Sequence, residues 1–335
     1  MRRLLTRLGW SVFVAWAVVS LTFAVNNLLP GDPARMVAGV QARPADVARI
    51  REQLGLTKPP IVQYALFWRR LVHAGPRETK GDSSHASCAV AVPLGSSAVH
   101  VDLGKSFQLH QPVIEVLVQR LPRTFALAVA GIAVQLLLGL SAGLLAAARR
   151  GSWIDRTLVS MSVLGASAPT FLIALLLQYL LAYELRLFPL DGYGKTTAEH
   201  AQSIVLPALT LGIYGAAYYA RLVRDEMVTI LQQDWIRTAR AKGSAPWQVL
   251  LRHGLRNALV PVTTAIGLDF GALMGGAVVT ETVFRWPGVG QLSVNALLNR
   301  DGPVILACVV VTSLAVVFSN VVVDLLYAQL DPRVR

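Results

Sequence analysis

Charge is what this chain has least of. Only 15% of its 335 residues are Asp, Glu, Lys or Arg, where a soluble domain carries about 25%. With 54% of the residues hydrophobic, a fully water-exposed surface is excluded and a membrane protein is the first reading. Cysteine is nearly absent as well. The two present, Cys88 and Cys308, exclude a disulfide framework and fall short of a thiolate zinc site. The catalytic signatures Gly-x-Ser-x-Gly and His-Glu-x-x-His do not occur. Gly104-Lys105-Ser106 resembles the end of a phosphate loop, but Val99 stands where that loop needs its first glycine. No catalytic residues are therefore expected on this chain.

What the sequence does have is long apolar runs. Residues 8–31, 124–148, 157–183, 201–220 and 302–323 carry no charge, and residues 257–280 carry one, Asp269. A hydrocarbon core of roughly 30 Å needs about 20 apolar residues in a helix, so each run is long enough to cross. None shows the strict alternation of a barrel strand. An all-α integral membrane protein of six transmembrane helices is predicted. The first run follows Arg2, Arg3 and Arg7 but is longer than a signal-peptide core, and we expect it to be a retained span.

Basic residues orient the spans, because Lys and Arg in short loops stay on the cytoplasmic side. With the N-terminus inside, the inner segments hold Arg149, Arg150 and Arg156, then Arg221, Arg224, Arg237, Arg240, Lys242, Arg252 and Arg256, and finally Arg333 and Arg335. The short outer loops hold only Arg186, Lys195, Arg285 and Arg300. Both termini are thus expected to be cytoplasmic. The net charge of +12 belongs to this pattern and to contact with anionic lipid. It does not indicate a nucleic acid, since no basic stripe with interleaved aromatics accompanies it.

Two segments between spans stand out. In residues 32–120 the sequence predicts a short helix over 44–54 ending at Gly55, and a second after Pro59-Pro60 that places Tyr64, Phe67, Trp68 and Leu71 on one face, suited to a membrane interface. A third helix over 113–119 leads across Arg120-Leu121-Pro122 into the second span. Residues from about 75 to 100, rich in Gly, Ser and His, read as a flexible or inserted loop. His85 and Cys88 with His73, His100 and His110 are too few and too scattered for a dedicated metal site, so no metal is expected. The other segment, residues 221–257, is basic, is broken at Gly243-Ser244, and restarts at Pro246 with Trp247, Leu250, Leu251 and Leu255 at amphipathic spacing. Such a helix suits either lipid or a docked protein.

The stretch Thr238-Ala239-Arg240-Ala241-Lys242-Gly243 followed by His253-Gly254-Leu255-Arg256-Asn257-Ala258-Leu259-Val260-Pro261 resembles the coupling loop of permease subunits of ATP-binding-cassette importers, in the dipeptide, oligopeptide and nickel branch. Leu29-Pro30-Gly31-Asp32-Pro33, Arg120-Leu121-Pro122, Glu281 to Gly290 (ETVFRWPGVG) and Leu330-Asp331-Pro332-Arg333 agree with that branch, in order along the chain. The resemblance implies a type I importer permease fold. It also implies a bacterial inner-membrane location, a second homologous permease in a heterodimer, two ATPase subunits that carry ATP and magnesium, an extracytoplasmic substrate-binding protein and a peptide substrate. This chain itself would hold no cofactor. In the family's Glu-Ala-Ala...Gly pattern, Ala239 and Gly243 match the second Ala and the Gly, whereas Arg237 occupies the Glu position; the usual Ile-x-Leu-Pro becomes His253-Gly254-Leu255-Arg256.

Three groups of site residues follow. The coupling loop is assigned Thr238, Ala239, Lys242, Gly243, Trp247, Leu250, Leu251, His253 and Arg256. The translocation path or subunit interface is assigned Asp269, Gly275, Glu281 and Trp286, with Gly271, Ala272, Gly276 and Ala277 making a small-residue face on the fifth span. A carboxylate at membrane depth such as Asp269 is a functional candidate by default. The outer docking surface is assigned Asp32, Tyr64, Trp68 and Asp102. The chain is divided at 1–31, 32–120 and 121–335, with residues 75–100 extra to the family pattern. Gln135 and Gln178 are expected to bond between helices.

Overall fold

The computed structural model describes residues 2–28, 32–39, 41–53, 55–76, 88–94 and 97–330. Among these residues five helices are long and apolar enough to cross a membrane, and the bent pair Trp153–Ser167 and Thr170–Glu184, taken as one span, makes six. The chain divides into two compact units, Met1–Pro122 with Gly288–Leu314, and Arg123–Pro287 with Ala315–Arg335.

In the first unit the apolar helix α1 (Arg2–Leu28) is followed by α2 (Pro33–Ala38), α3 (Pro44–Gln53) and α4 (Pro60–Leu71). Asp32 caps α2 by accepting from Ala34 N at 3.1 Å and also receives the Arg51 guanidinium. The aromatic face of α4 turns inward. Tyr64 and Phe67 pack on Phe23 of α1, and the Tyr64 hydroxyl shares a hydrogen bond with Ser20 Oγ at 2.7 Å. Trp68 lies against the core formed by Leu71, Leu103, Val113, Leu117 and Val304.

Residues 75–100 are not simply a loop. Strands β1 (Val72–Pro76), β2 (Cys88–Leu94) and β3 (Ser97–Asp102) form an antiparallel sheet in the order β1-β3-β2, with His73 opposite His100. The alternation of Val and Ala over 89–92 and of Val99 and Val101 supports these strands, while His85 lies outside the described residues. After the sheet, Asp301 receives Ser106 Oγ together with the N–H groups of Phe107 at 3.1 Å and Gln108 at 3.2 Å, which fixes the approach to α5.

Helix α5 (Val113–Ala148) runs without a break through Pro122, where two separate helices were expected. The second unit takes in its length from Arg123, together with α6 (Trp153–Ser167), α7 (Thr170–Leu177), a π-helical extension over Gln178–Glu184, α8 (Thr197–Ser203) and α9 (Val205–Ile230). The third predicted span is bent by 102° between α6 and α7. Ala168 is held extended by the proline that follows it, at φ −74 and ψ 130, and Pro169 cannot donate to the preceding turn.

Helix α9 is the central element, and glycines let α5 approach it. A Cβ added at Gly139 would stand 2.5 Å from Tyr219 Cβ, one at Gly143 2.7 Å from Ala220 O, and one at Gly212 2.1 Å from Val134 Cγ1. Small residues on both helices thus take the place of side-chain packing, as is common between membrane helices. Gln135 Nε2 donates across this seam to Leu211 O at 3.2 Å, as expected, whereas Gln178 Nε2 reaches the loop carbonyl of Leu190 at 2.8 Å and no second helix. Arg224 of α9 holds Asp155 of α6 through two hydrogen bonds, at 2.6 and 3.0 Å.

The remaining elements are α10 (Asp234–Ala241), α11 (Pro246–Gln248) widening into a π-helix over Val249–Leu255, α12 (Arg256–Met274), α13 (Val278–Val283), α14 (Val289–Leu298) and α15 (Gly302–Leu330). Helix α12 stops at Met274, and Gly276 has φ +98. Gly275, Gly276 and Ala277 therefore lie in a connection and do not extend a helical small-residue face. Gly271 does pack closely, within the second unit, against Ser319 of α15.

Candidate functional site

The segment from α10 to the start of α12 is built to present a surface. Ile236 is fully buried and anchors α10, while Trp235 beside it is 43% exposed. The helix ends in a Schellman turn: Gly243 N donates to Arg240 O at 3.0 Å and Ser244 N to Ala239 O at 3.2 Å. This closure needs a left-handed residue, and Gly243 has φ +81. A Cβ there would meet nothing within 4 Å, so the glycine is demanded by the backbone and the space around it is open. Lys242 ends the helix, and the Thr238 hydroxyl bonds back to Asp234 O at 3.1 Å.

Beyond the turn, Gln248 Oε1 accepts from Ala245 N at 3.3 Å and steadies the restart at Pro246. The amphipathic pattern divides here. Leu250 and Leu255 pack on the cluster around Met227 and Val262, whereas Trp247 is 64% exposed and Leu251 is 47% exposed. His253 is half-buried and Arg256 is exposed. Gly254, which no spacing argument singled out, packs against Met227: a Cβ would stand 2.6 Å from the terminal Cε, and the flexible methionine would have to swing aside to admit it. The pattern missed it because the π-helical turn shifts the register of the residues that follow. A cavity of about 530 Å³ adjoins the segment and is lined by Arg150, Leu231, Arg240, Trp247 and Leu250, among others.

A second concavity, about 640 Å³, lies between α9 and α12 and is also lined by Val278, Val279 and Thr280. On α9 it is faced by Leu211, Tyr214, Gly215, Tyr218 and Arg221, and on α12 by Ala265, Leu268, Asp269 and Ala272. Each set follows helical spacing. The Tyr219 hydroxyl, on a side chain with no exposed surface, donates to Asp269 Oδ2 at 2.8 Å. Sequence reasoning found Asp269 as the lone charge of its run but had no signal for Tyr219, whose partner lies fifty residues away.

Other assigned residues fall elsewhere. Glu281 is fully buried and receives the Thr124 hydroxyl at 3.1 Å; Trp286 is 1% exposed and donates from Nε1 to Arg123 O at 3.1 Å. Both pin α13 and the following turn to α5 inside one unit, because a buried carboxylate and an indole N–H must find partners within the chain. Gly275 caps α12. Tyr64 and Trp68 are half-buried in the first unit, where their rings cover apolar surface of α1 and the core. Asp32 caps α2, and Asp102 Oδ1 receives Gly104 N at 2.8 Å, so both shape turns.

These features define a polytopic helical membrane protein with an exposed, partly apolar segment between its fourth and fifth spans. Residues 135–335 match the family described as binding-protein-dependent transport system inner membrane component, and residues 1–128 match the N-terminal companion of that description. The chain is 39% identical over 335 residues to a putative peptide transport system permease protein of Brucella abortus (strain 2308), covering 99% of this chain and 98% of that one. It is also 39% identical over 318 residues to a glutathione transport system permease protein of Salmonella paratyphi A, covering 95% and 94%. Among solved structures it is similar in fold to the MetNI methionine ABC transporter in inward-facing conformations, with a TM-score of 0.55, 21% identity, and coverage of 66% of this chain and 98% of that one. The chain belongs to the binding-protein-dependent transport system inner-membrane components, the permease subunits of ABC importers. It is a multi-pass bacterial inner-membrane protein and a transport subunit. ATP hydrolysis lies on separate subunits, and such permeases work with ATPase and substrate-binding partners.

Proposed function

We propose that this chain forms half of the pathway of a peptide importer. It pairs with a second, homologous permease, keeps both termini in the cytoplasm, and receives short peptides from an extracytoplasmic binding protein. ATP and magnesium on two ATPase subunits drive alternating access, and α10 with the turn at Gly243 is the part that the ATPase moves. The observation that carries this reading is the combination of a rigidly closed turn, open space around Gly243, and the exposed Trp235, Trp247 and Leu251 on an otherwise basic segment. Exposed aromatic anchors beside a well-held helix are what a protein partner recognises. The peptide and glutathione permeases among the relatives support the substrate class.

The reading is tested with the whole complex in proteoliposomes. Uptake of labelled dipeptide requires ATP on the ATPase side and binding protein on the other, and omitting either abolishes it. Uptake driven by an ion gradient without ATP would contradict the reading.

A further inference from the structure

The groove between α9 and α12 contains one carboxylate and one guanidinium that do not satisfy each other. Asp269 accepts a hydrogen bond from Tyr219 through Oδ2, and its Oδ1 has no partner among the described residues. Arg221 lines the same groove, and among the described residues neither it nor Asp269 enters an ion pair. Tyr214, Tyr218 and Arg221 form one stripe along α9, and Ala265, Leu268, Asp269 and Ala272 form the facing stripe on α12. The lining is otherwise mainly apolar. Two opposite charges held in such a setting, each with open hydrogen-bonding capacity, fit a ligand that brings a primary ammonium and a carboxylate.

Resting on the peptide-importer reading above, we propose that this groove reads the ends of a passing peptide: Asp269 receives the terminal ammonium and Arg221 the terminal carboxylate. Tyr219 acts as a positioning residue that holds the Asp269 carboxylate. Recognition of the termini leaves the side chains unread, which suits a path that must pass varied peptides. The apolar walls between the two charges accept side chains without specific hydrogen bonds.

The test uses the complete permease and ATPase complex in nanodiscs of phosphatidylcholine and phosphatidylglycerol, which carry no primary ammonium, with no binding protein present. Binding of dialanine, N-acetyl-dialanine and dialanine amide is measured by saturation-transfer NMR, and ATP hydrolysis confirms that each variant is assembled. Loss of a charge-assisted hydrogen bond corresponds to roughly tenfold or more in affinity. The native complex is expected to prefer dialanine to either blocked form by that margin. Asp269→Asn should lose the preference over the N-acetyl form and keep the preference over the amide, while Arg221→Gln does the reverse. Tyr219→Phe should weaken only discrimination at the amino end. Equal binding of all three peptides by the native complex, no binding of any of them, or loss of both preferences in both variants would overturn the inference. Failure of dipeptide uptake in the proteoliposome assay would instead remove the peptide reading, and this proposal with it.

Discussion

Within the second unit, the seam between α5 and α9 and the segment from α10 to α12 use glycine in opposite ways. In the seam, Gly139, Gly143 and Gly212 are needed because atoms of the facing helix stand where a Cβ would be. At Gly243 the space is empty and the backbone alone imposes the residue. The seam buries its small residues and the segment exposes its large ones, Trp247 and Leu251. Close backbone approach with no room for adjustment is how a scaffold transmits motion without deforming. A locally closed turn carrying uncovered aromatic surface is how the chain meets another protein.

That contrast predicts that stability and coupling respond in opposite orders. The largest loss of stability is expected at the seam. Gly212→Ala should destabilise the detergent-purified protein by about 1–3 kcal/mol, the cost of overpacking, read as a lower thermal midpoint. Gly165→Ala, whose Cβ would meet Ala217 at an ordinary 3.5 Å, should leave the midpoint near that of the native chain. Equal shifts in the two variants would break the account of the seam.

The ion pair between α6 and α9 should matter about as much. Asp155→Asn keeps the side-chain shape but weakens the charge-assisted bonds to Arg224, and the expected loss is about 1.5–3 kcal/mol in the same thermal assay. Gly243→Ala should cost only about 1–2 kcal/mol, the penalty of a left-handed conformation, and Gly243→Asn less, since Asn tolerates that region. The smallest effect on stability is expected from Trp247→Ala, within about 0.5 kcal/mol, because the ring is 64% exposed. The same variant should lower ATP-driven uptake severalfold. An unfolded Trp247→Ala protein would show that the ring belongs to the core and not to an interface.

The sequence revealed these two regions unequally. The spans were legible because absence of charge over the width of a bilayer is a one-dimensional signal, and the turn at Gly243 was legible because Gly-Ser-Ala-Pro marks a local stop and restart. The seam glycines were not singled out, since what demands them is a second helix nearly eighty residues away, and the small-residue face was placed on α12 instead. The bend at Pro169 was hidden inside an uninterrupted apolar run, although Ala168-Pro169 carried the local signal for it. Glu281 and Trp286 were assigned to the path or subunit interface; their burial was not legible, since it depends on Thr124 and Arg123 of α5, which no spacing reveals. The sheet over β1 to β3 was obscured by the small and polar residues around its short strands.

The central claim is that the turn at Gly243 presents this chain to an ATPase, and quantitative mass spectrometry of what co-purifies in mild detergent tests it most directly. ATPase subunits and a second permease are expected with the native chain and with Gly243→Asn. Gly243→Trp, whose ring would occupy the open space, should retain the second permease and lose most of the ATPase. Undiminished ATPase with Gly243→Trp would contradict the claim, and so would a native chain that purifies without any ATPase.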